Sequence, residues 1–288
     1  MRRLCPHIYG ASDGWPVLYV HGFPSCAAEV AFAAGAAARR DLQLIACDRP
    51  GYGDSPFRPV SGLRAMARLH RRALDQLDID RCAVLGVSGG APLACAIAAC
   101  EPDRVCALAL VAGLGPASGA IRRAMPAHLR WSLELARRCP AAAALTMSWA
   151  RALFFARRAD LALQLLLLQA PAVDRRVIAQ PSTMRRLRAV AARAFARGSR
   201  AAAQDLRLFA TPWDFDPADV RVPSAVWHGQ CDRTVAPACG AWYARVIPAA
   251  RYHPLPDDGH FSLAIGRVDP VLDWLADHSP TAPGGDAG

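Results

Sequence analysis

Ser88 stands in Gly86-Val87-Ser88-Gly89-Gly90, a serine among small residues in the pattern G-x-S-x-G. A serine hydroxyl becomes an accessible nucleophile when a sharp turn lifts it clear of the backbone, and small neighbours leave room for that turn. The triplet alone arises by chance in roughly a tenth of chains this long, so its surroundings must carry the weight. An apolar run at 82–85 leads into it and an alanine-rich helical pattern at 91–99 leaves it. A strand-to-helix turn sets the free N–H groups of a helix start beside the hydroxyl, where an oxyanion would develop. A tetrahedral oxyanion needs two donors. The N–H of Gly89 is one candidate. The second is the N–H of Phe23 in His21-Gly22-Phe23-Pro24, which follows the apolar run 17–20. Gly22 permits a close approach and Pro24 stiffens the loop. His21 reads as a brace for this loop rather than a proton carrier. The ring of Phe23 has two equal readings, a wall of an acyl pocket or simple packing.

The elements that must position these groups can be read from hydrophobic patterning. Short apolar runs at 17–20, 42–46, 82–87, 105–111, 225–228 and 251–255 read as buried strands. Helical patterns at 27–39, 62–77, 89–100, 236–247 and 261–277 separate them. This alternation predicts an α/β fold, a doubly wound, mostly parallel sheet. Residues 116–212 break the rhythm with helical signals and little strand signal, and read as a helical insertion. Arginine pairs at 122–123, 137–138, 157–158, 175–176 and 185–186 punctuate it and read as solvated helix faces. The expected division is a core of 1–115 and 213–278, an inserted cap at 116–212, and a Pro- and Gly-rich disordered tail at 279–288.

Composition narrows the class. The chain has 288 residues, of which 53% are hydrophobic, enough for a substantial core. The net charge is +10, yet every basic residue is arginine and alanine is abundant. That pairing reads as codon bias rather than selection for phosphate, so no nucleic-acid partner is expected. Ten cysteines are scattered without a CxxC pair, which points to a reducing, cytoplasmic compartment. His228 and Cys231 lie close in sequence, but no second pair completes a metal site. Met1–Gly10 carries two arginines and no apolar segment of a secretory signal. The longest apolar stretch, 141–170, is interrupted by Arg151, Arg157, Arg158 and Asp160, so no integral membrane association is expected.

Taken in order, the motifs resemble those of the lid-bearing α/β-hydrolases. The match runs through His21-Gly22-Phe23-Pro24, then Asp48-Arg49-Pro50-Gly51-Tyr52-Gly53-Asp54-Ser55, then the Ser88 elbow. It continues through Trp227-His228-Gly229-Gln230-Cys231-Asp232 and Asp258-Gly259-His260-Phe261. The resemblance implies Asp232 as the acid and His260 as the base of a triad with Ser88. The strand after the elbow ends Ala112-Gly113-Leu114-Gly115, which offers no rival carboxylate. The 48–55 segment is a structural turn in such proteins, so Asp48 is given no chemical role. His228 and His253 read as structural. Two features depart from the pattern. Only residues 4–9 are available for a strand before the first one, so the usual N-terminal hairpin is expected to be reduced to one strand. The elbow also lacks the tryptophan of proline iminopeptidases, which argues against a peptidase.

The implied chemistry is acyl transfer to water, with no metal or organic cofactor and with a small, partly apolar substrate. Leu153, Phe154, Phe155 and the 165–168 leucine run are candidate apolar pocket residues, although the same side chains could pack on the core. A serine at the elbow excludes the aspartate-dependent dehalogenases and epoxide hydrolases. Ester hydrolysis is the default expectation. Lactonase, thioesterase, C–C bond hydrolase and cofactor-free haloperoxidase remain open on the same triad, as does a ligand-binding receptor on a hydrolase fold.

Overall fold

The computed structural model describes residues 4–155, 170–248 and 250–279. Seven strands, β1 (Pro6–Gly10), β2 (Trp15–Val20), β3 (Leu42–Cys47), β4 (Cys82–Val87), β5 (Val105–Val111), β6 (Ser224–Gly229) and β7 (Arg251–Leu255), form one sheet. Their order is β1-β3-β2-β4-β5-β6-β7. Only β1 is antiparallel, and it pairs with β3 rather than with β2. β1 is thus one short edge strand, joined to the sheet through β3.

The strands are apolar on both sides because both faces are covered. Along β2, Leu18 and Val20 face one core cluster, while Val17 and Tyr19 face the other. Helices α2 (Leu63–Asp75) and α3 (Ala91–Cys100) cover the first face. On α2 the residues Leu63, Met66, Leu69, His70, Ala73 and Leu74 are buried at helical spacing, and its arginines 64, 68, 71 and 72 are exposed. The residues of α3 from Ala91 to Ala98 are all buried, since this helix lies directly behind the central strands. The second face is covered by α1 (Ala34–Ala38) and by a C-terminal helix, Asp269–Asp277.

Two expected helices are broken. Residues 27–39 form a tight 3-10 segment, Ala27–Phe32, followed by the short α1. The start of that segment is tied across the fold, with the N–H of Ala27 donating to Asp48 Oδ1 at 2.7 Å. Residues 261–277 form a π turn, Ser262–Gly266, and then the C-terminal helix. Pro270 has no N–H to carry one continuous helix across this point, and it sits in the first turn of the second helix instead.

Between β5 and β6 the described residues contain helices α4 (Gly119–Ala124), α5 (Ala127–Arg138), α6 (Pro140–Phe155), α7 (Ala172–Ile178), α8 (Pro181–Ala194) and α9 (Arg200–Ala210). Helix α10 (Pro237–Val246) follows β6, and the C-terminal helix is α11. These helices pack on the sheet's loops through two apolar clusters. One joins Ile121, Leu133, Leu206 and Phe209 to Leu114 and Val235. The other joins Val190, Phe195 and Ala201 to Cys26 and Tyr52. Four of the arginine pairs are exposed as expected; Arg122, Arg137 and Arg138 gather around Glu134. The pair 157–158, the side chains of 153–155, the 165–168 run and the 280–288 tail lie outside the described residues. Among the described residues no helix is long and apolar enough to cross a membrane.

Candidate active site

Four loops meet at the C-terminal ends of strands β2, β4, β6 and β7. The first is the elbow after β4. Ser88 adopts φ +53°, a left-handed conformation that costs a side-chain-bearing residue about 1–2 kcal/mol. The chain then tightens into a 3-10 turn, Ser88–Gly90, before α3. Close packing makes the small residues necessary. A Cβ on Gly90 would collide with the Val20 and His21 carbonyls. A Cβ on Gly89 would lie 2.5 Å from Phe23 Cβ and 3.3 Å from Phe23 N. The two candidate donors, Gly89 and Phe23, thus sit side by side.

The second loop, His21–Pro24, follows β2. His21 is fully buried. Its Nδ1 donates to the Gly22 carbonyl at 3.0 Å, and its Nε2 accepts from the Arg49 N–H at 3.3 Å. Burial, with Arg49 alongside, holds its pKa far below the ordinary imidazole value. It is a neutral brace, as its sequence context implied. The Phe23 ring packs edge-on against Phe209 of α9, centroids 5.5 Å apart.

The other two loops, after β6 and β7, carry the candidate acid and base. His260 Nε2 lies 3.0 Å from Ser88 Oγ, and His260 Nδ1 lies 2.7 Å from Asp232 Oδ2. A carboxylate can only accept, so Nδ1 carries the proton and Nε2 offers its lone pair to the serine hydroxyl. Asp232 Oδ1 accepts the N–H groups of Thr234 and Val235, both at 2.8 Å. Burial opposes charge on both partners, yet their mutual attraction prevails. It holds Asp232 well below the usual carboxylate range and His260 above the usual imidazole value. His228, on β6, points Nε2 at the Val235 carbonyl at 3.1 Å and at Asp232 Oδ2 at 3.4 Å. It supports the acid from behind. His253 stacks on Trp227, centroids 4.8 Å apart, away from this chain of bonds.

Glu29, Asp205 and Asp174 stand in no motif of the sequence, and Arg49 and Asp48 stand there only as part of a structural turn. Glu29 Oε1 accepts from the Gly22 N–H at 3.0 Å and from the Tyr19 hydroxyl at 2.9 Å. Arg49 grips the donor loop, its Nη1 and Nη2 donating to the His21 and Gly22 carbonyls at 2.5 and 2.8 Å. Buried Asp205, on α9, pairs with Arg49 at 2.8 Å. Buried Asp174, on α7, accepts the N–H groups of His260, Phe261 and Ser262. Asp48 accepts the N–H groups of Ala27 and Asp54, which holds its turn together.

Among the described residues, one group could share a metal ion: His7, Asp48 and Asp54. Its carboxylates already accept from Ala27 and Asp54 N–H groups and pair with Arg193. Nothing there calls for an ion. Surface cavities against Arg221, Arg251 and Trp274, and against Arg71, Glu101 and Arg104, lie away from Ser88.

A family model described as alpha/beta hydrolase fold matches residues 16–266. No curated protein matches the chain in sequence. Solved structures similar to it include the enol-lactonase from Burkholderia xenovorans LB400, at a TM-score of 0.70 and 20% identity, with 96% of this chain and 95% of that one covered. A thermophilic esterase from Thermogutta terrifontis aligns at 0.67 and 22%, covering 96% and 94%. A bromoperoxidase from Bacillus anthracis aligns at 0.69 and 17%, covering 95% of each chain. These three carry different chemistry by name, and at such identities the likeness speaks to the fold alone.

Proposed function

The chain belongs to the α/β-hydrolase fold family, and from that premise we propose that it is a serine hydrolase cleaving a carboxylic ester or related acyl bond through an acyl-enzyme. The observation that carries this reading is the unbroken bond chain from Ser88 Oγ through His260 to Asp232. In the proposed cycle His260 Nε2 takes the serine proton as Oγ attacks the acyl carbon. Asp232 holds the imidazole in the required tautomer and stabilises the imidazolium. The N–H groups of Phe23 and Gly89 stabilise the oxyanion. His260 then protonates the leaving group and activates the water that releases the acid. No step calls for a metal or cofactor.

The insertion, 116–212, serves in this reading as a lid over Ser88, set apart from a core of 1–115 and 213–278. Its contact with the donor loop through Phe209 and Phe23 supports that role. The substrate is a small molecule with an apolar portion. The ten unpaired thiols support a reducing, cytoplasmic setting. Lactonase and haloperoxidase activities use the same triad and are the second reading, favoured by the names of two similar structures.

The test is turnover of short p-nitrophenyl esters beside a lactone and a bromide-peroxide assay. Ser88→Ala is expected to lower ester kcat by roughly 10³-fold or more. Equal rates for the two proteins would remove Ser88 from the chemistry. Ligand binding with no turnover of any acyl compound by the wild type would point to a receptor instead.

A further inference from the structure

Asp174 lies 86 residues before His260 in the chain, with α8, α9, β6, α10 and β7 between them. Its carboxyl is fully buried. Oδ2 accepts the His260 N–H at 2.9 Å, and Oδ1 accepts those of Phe261 and Ser262 at 2.9 and 2.8 Å. These three N–H groups open the π turn Ser262–Gly266 and would otherwise lack partners. The Gly259 N–H donates to Ser262 Oγ at 2.8 Å and closes the turn on itself. Gly259 also makes room, because a Cβ there would lie 2.5 Å from Asp174 Oδ2.

A buried carboxylate is expensive unless charge-assisted bonds offset its desolvation. Among the described residues Asp174 has no arginine partner in any ion pair; its compensation is the backbone of the His260 turn. We propose that Asp174 is a positioning residue for His260. It fixes the turn that aims Nε2 at Ser88, and it ties that aim to the seating of the insertion. The inference rests on the reading of His260 as the base. Asp174 touches neither the imidazole nor the reacting atoms, so it acts only through His260.

The negative charge has a second consequence. The groups facing His260 are Asp232 with His228 behind it, Glu29 from the segment after β2, and Asp174 from α7. On its own loop Asp258 is paired with Arg267 at 2.8 Å. Burial lowers the His260 pKa, and Asp232, then Asp174 and Glu29, raise it. Removing the Asp174 charge therefore lowers it.

The experiment uses the full-length chain as wild type, Asp174→Asn and Asp174→Ala. It measures p-nitrophenyl ester kinetics against pH, the urea midpoint, and the His260 imidazole titration by NMR. Asp174→Asn keeps an oxygen for Phe261 and Ser262 but loses the charge and the bond from His260. Asp174→Ala loses all three bonds. The expected kcat falls by roughly 30- to 100-fold in Asp174→Ala, with KM moving far less, because misplacing a catalytic group by about 1 Å costs on that order. Asp174→Asn should recover most of this loss, while the acid limb of kcat/KM and the NMR titration both move to lower pH. Wild-type kcat in folded Asp174→Ala would overturn the proposal. So would a loss that only tracks the unfolded fraction, with the acid limb and titration unmoved. Failure of the hydrolase reading looks different: Ser88→Ala would then match the wild type, while the NMR titration would still report whether Asp174 acts on His260.

Discussion

The candidate donor loop, His21–Pro24, and the histidine turn meet at Ser88, yet they are held by opposite means. Arg49 holds the donor loop, clasping two of its carbonyls, and buried Asp205 neutralises it. Backbone N–H groups alone hold the histidine turn onto Asp174. The first brace is a buried ion pair and the second a buried anion in a nest of donors. Removing one charge of a buried pair strands the other, whereas neutralising Asp174 strands no charge. Both carboxylates belong to the helices between β5 and β6, so those helices are wired into each half of the site, beyond any covering role.

This contrast makes graded predictions. Asp205→Ala should be the most damaging to the fold. It leaves the Arg49 guanidinium buried and unpaired, at about 3–5 kcal/mol, read as a lower urea midpoint. The double variant Arg49→Met, Asp205→Leu should recover much of that stability without recovering activity, since the donor-loop carbonyls lose their clasp. A double variant as unstable as the single one would mean that the site depends on shape rather than charge.

Gly259→Ala strikes the other brace. Its added methyl would push on Asp174 Oδ2, and kcat is expected to fall roughly tenfold with little change in midpoint. An unchanged kcat would show that the turn has slack. The pH profile is a milder probe. In the proposed cycle His260 must be neutral to take the serine proton, and burial is outweighed by Asp232 in setting its pKa above the ordinary value. Activity should therefore decline on acidification with a midpoint above the ordinary imidazole value of about 6.5. An acid limb below that value would remove Asp232 as the dominant neighbour. Least affected should be Arg137→Ala, on an exposed ion pair with Glu134. Neither activity nor the urea midpoint should move measurably.

The same contrast explains what could be read in advance. Strands such as 82–87 and the Ser88 turn announce themselves because burial on two faces and a tight turn demand particular residues at consecutive positions. The His21–Pro24 loop stood out for the same reason: Gly22 and Pro24 are local requirements. Asp174 and Asp205 satisfy no local requirement. In sequence Asp174 is an acid beside Arg175 and Arg176, which reads as a solvated pair; only the path of α7 turns it onto the His260 backbone. One faint signal existed. Residues 116–212 hold just four acids, Glu134, Asp160, Asp174 and Asp205, against many arginines. Two of these four are buried against the site. The two broken helices failed for a related reason, since the Asp48 tie at Ala27 and the constraint at Pro270 override helical patterning.

The central claim is that Ser88 is an activated nucleophile, and covalent labelling tests it without knowledge of the substrate. Full-length protein treated with a fluorophosphonate should carry a single adduct, located on Ser88 by peptide mass spectrometry. Labelling should be abolished in Ser88→Ala and strongly slowed in His260→Ala. An adduct on another residue, or equal labelling of wild type and Ser88→Ala, would contradict the account.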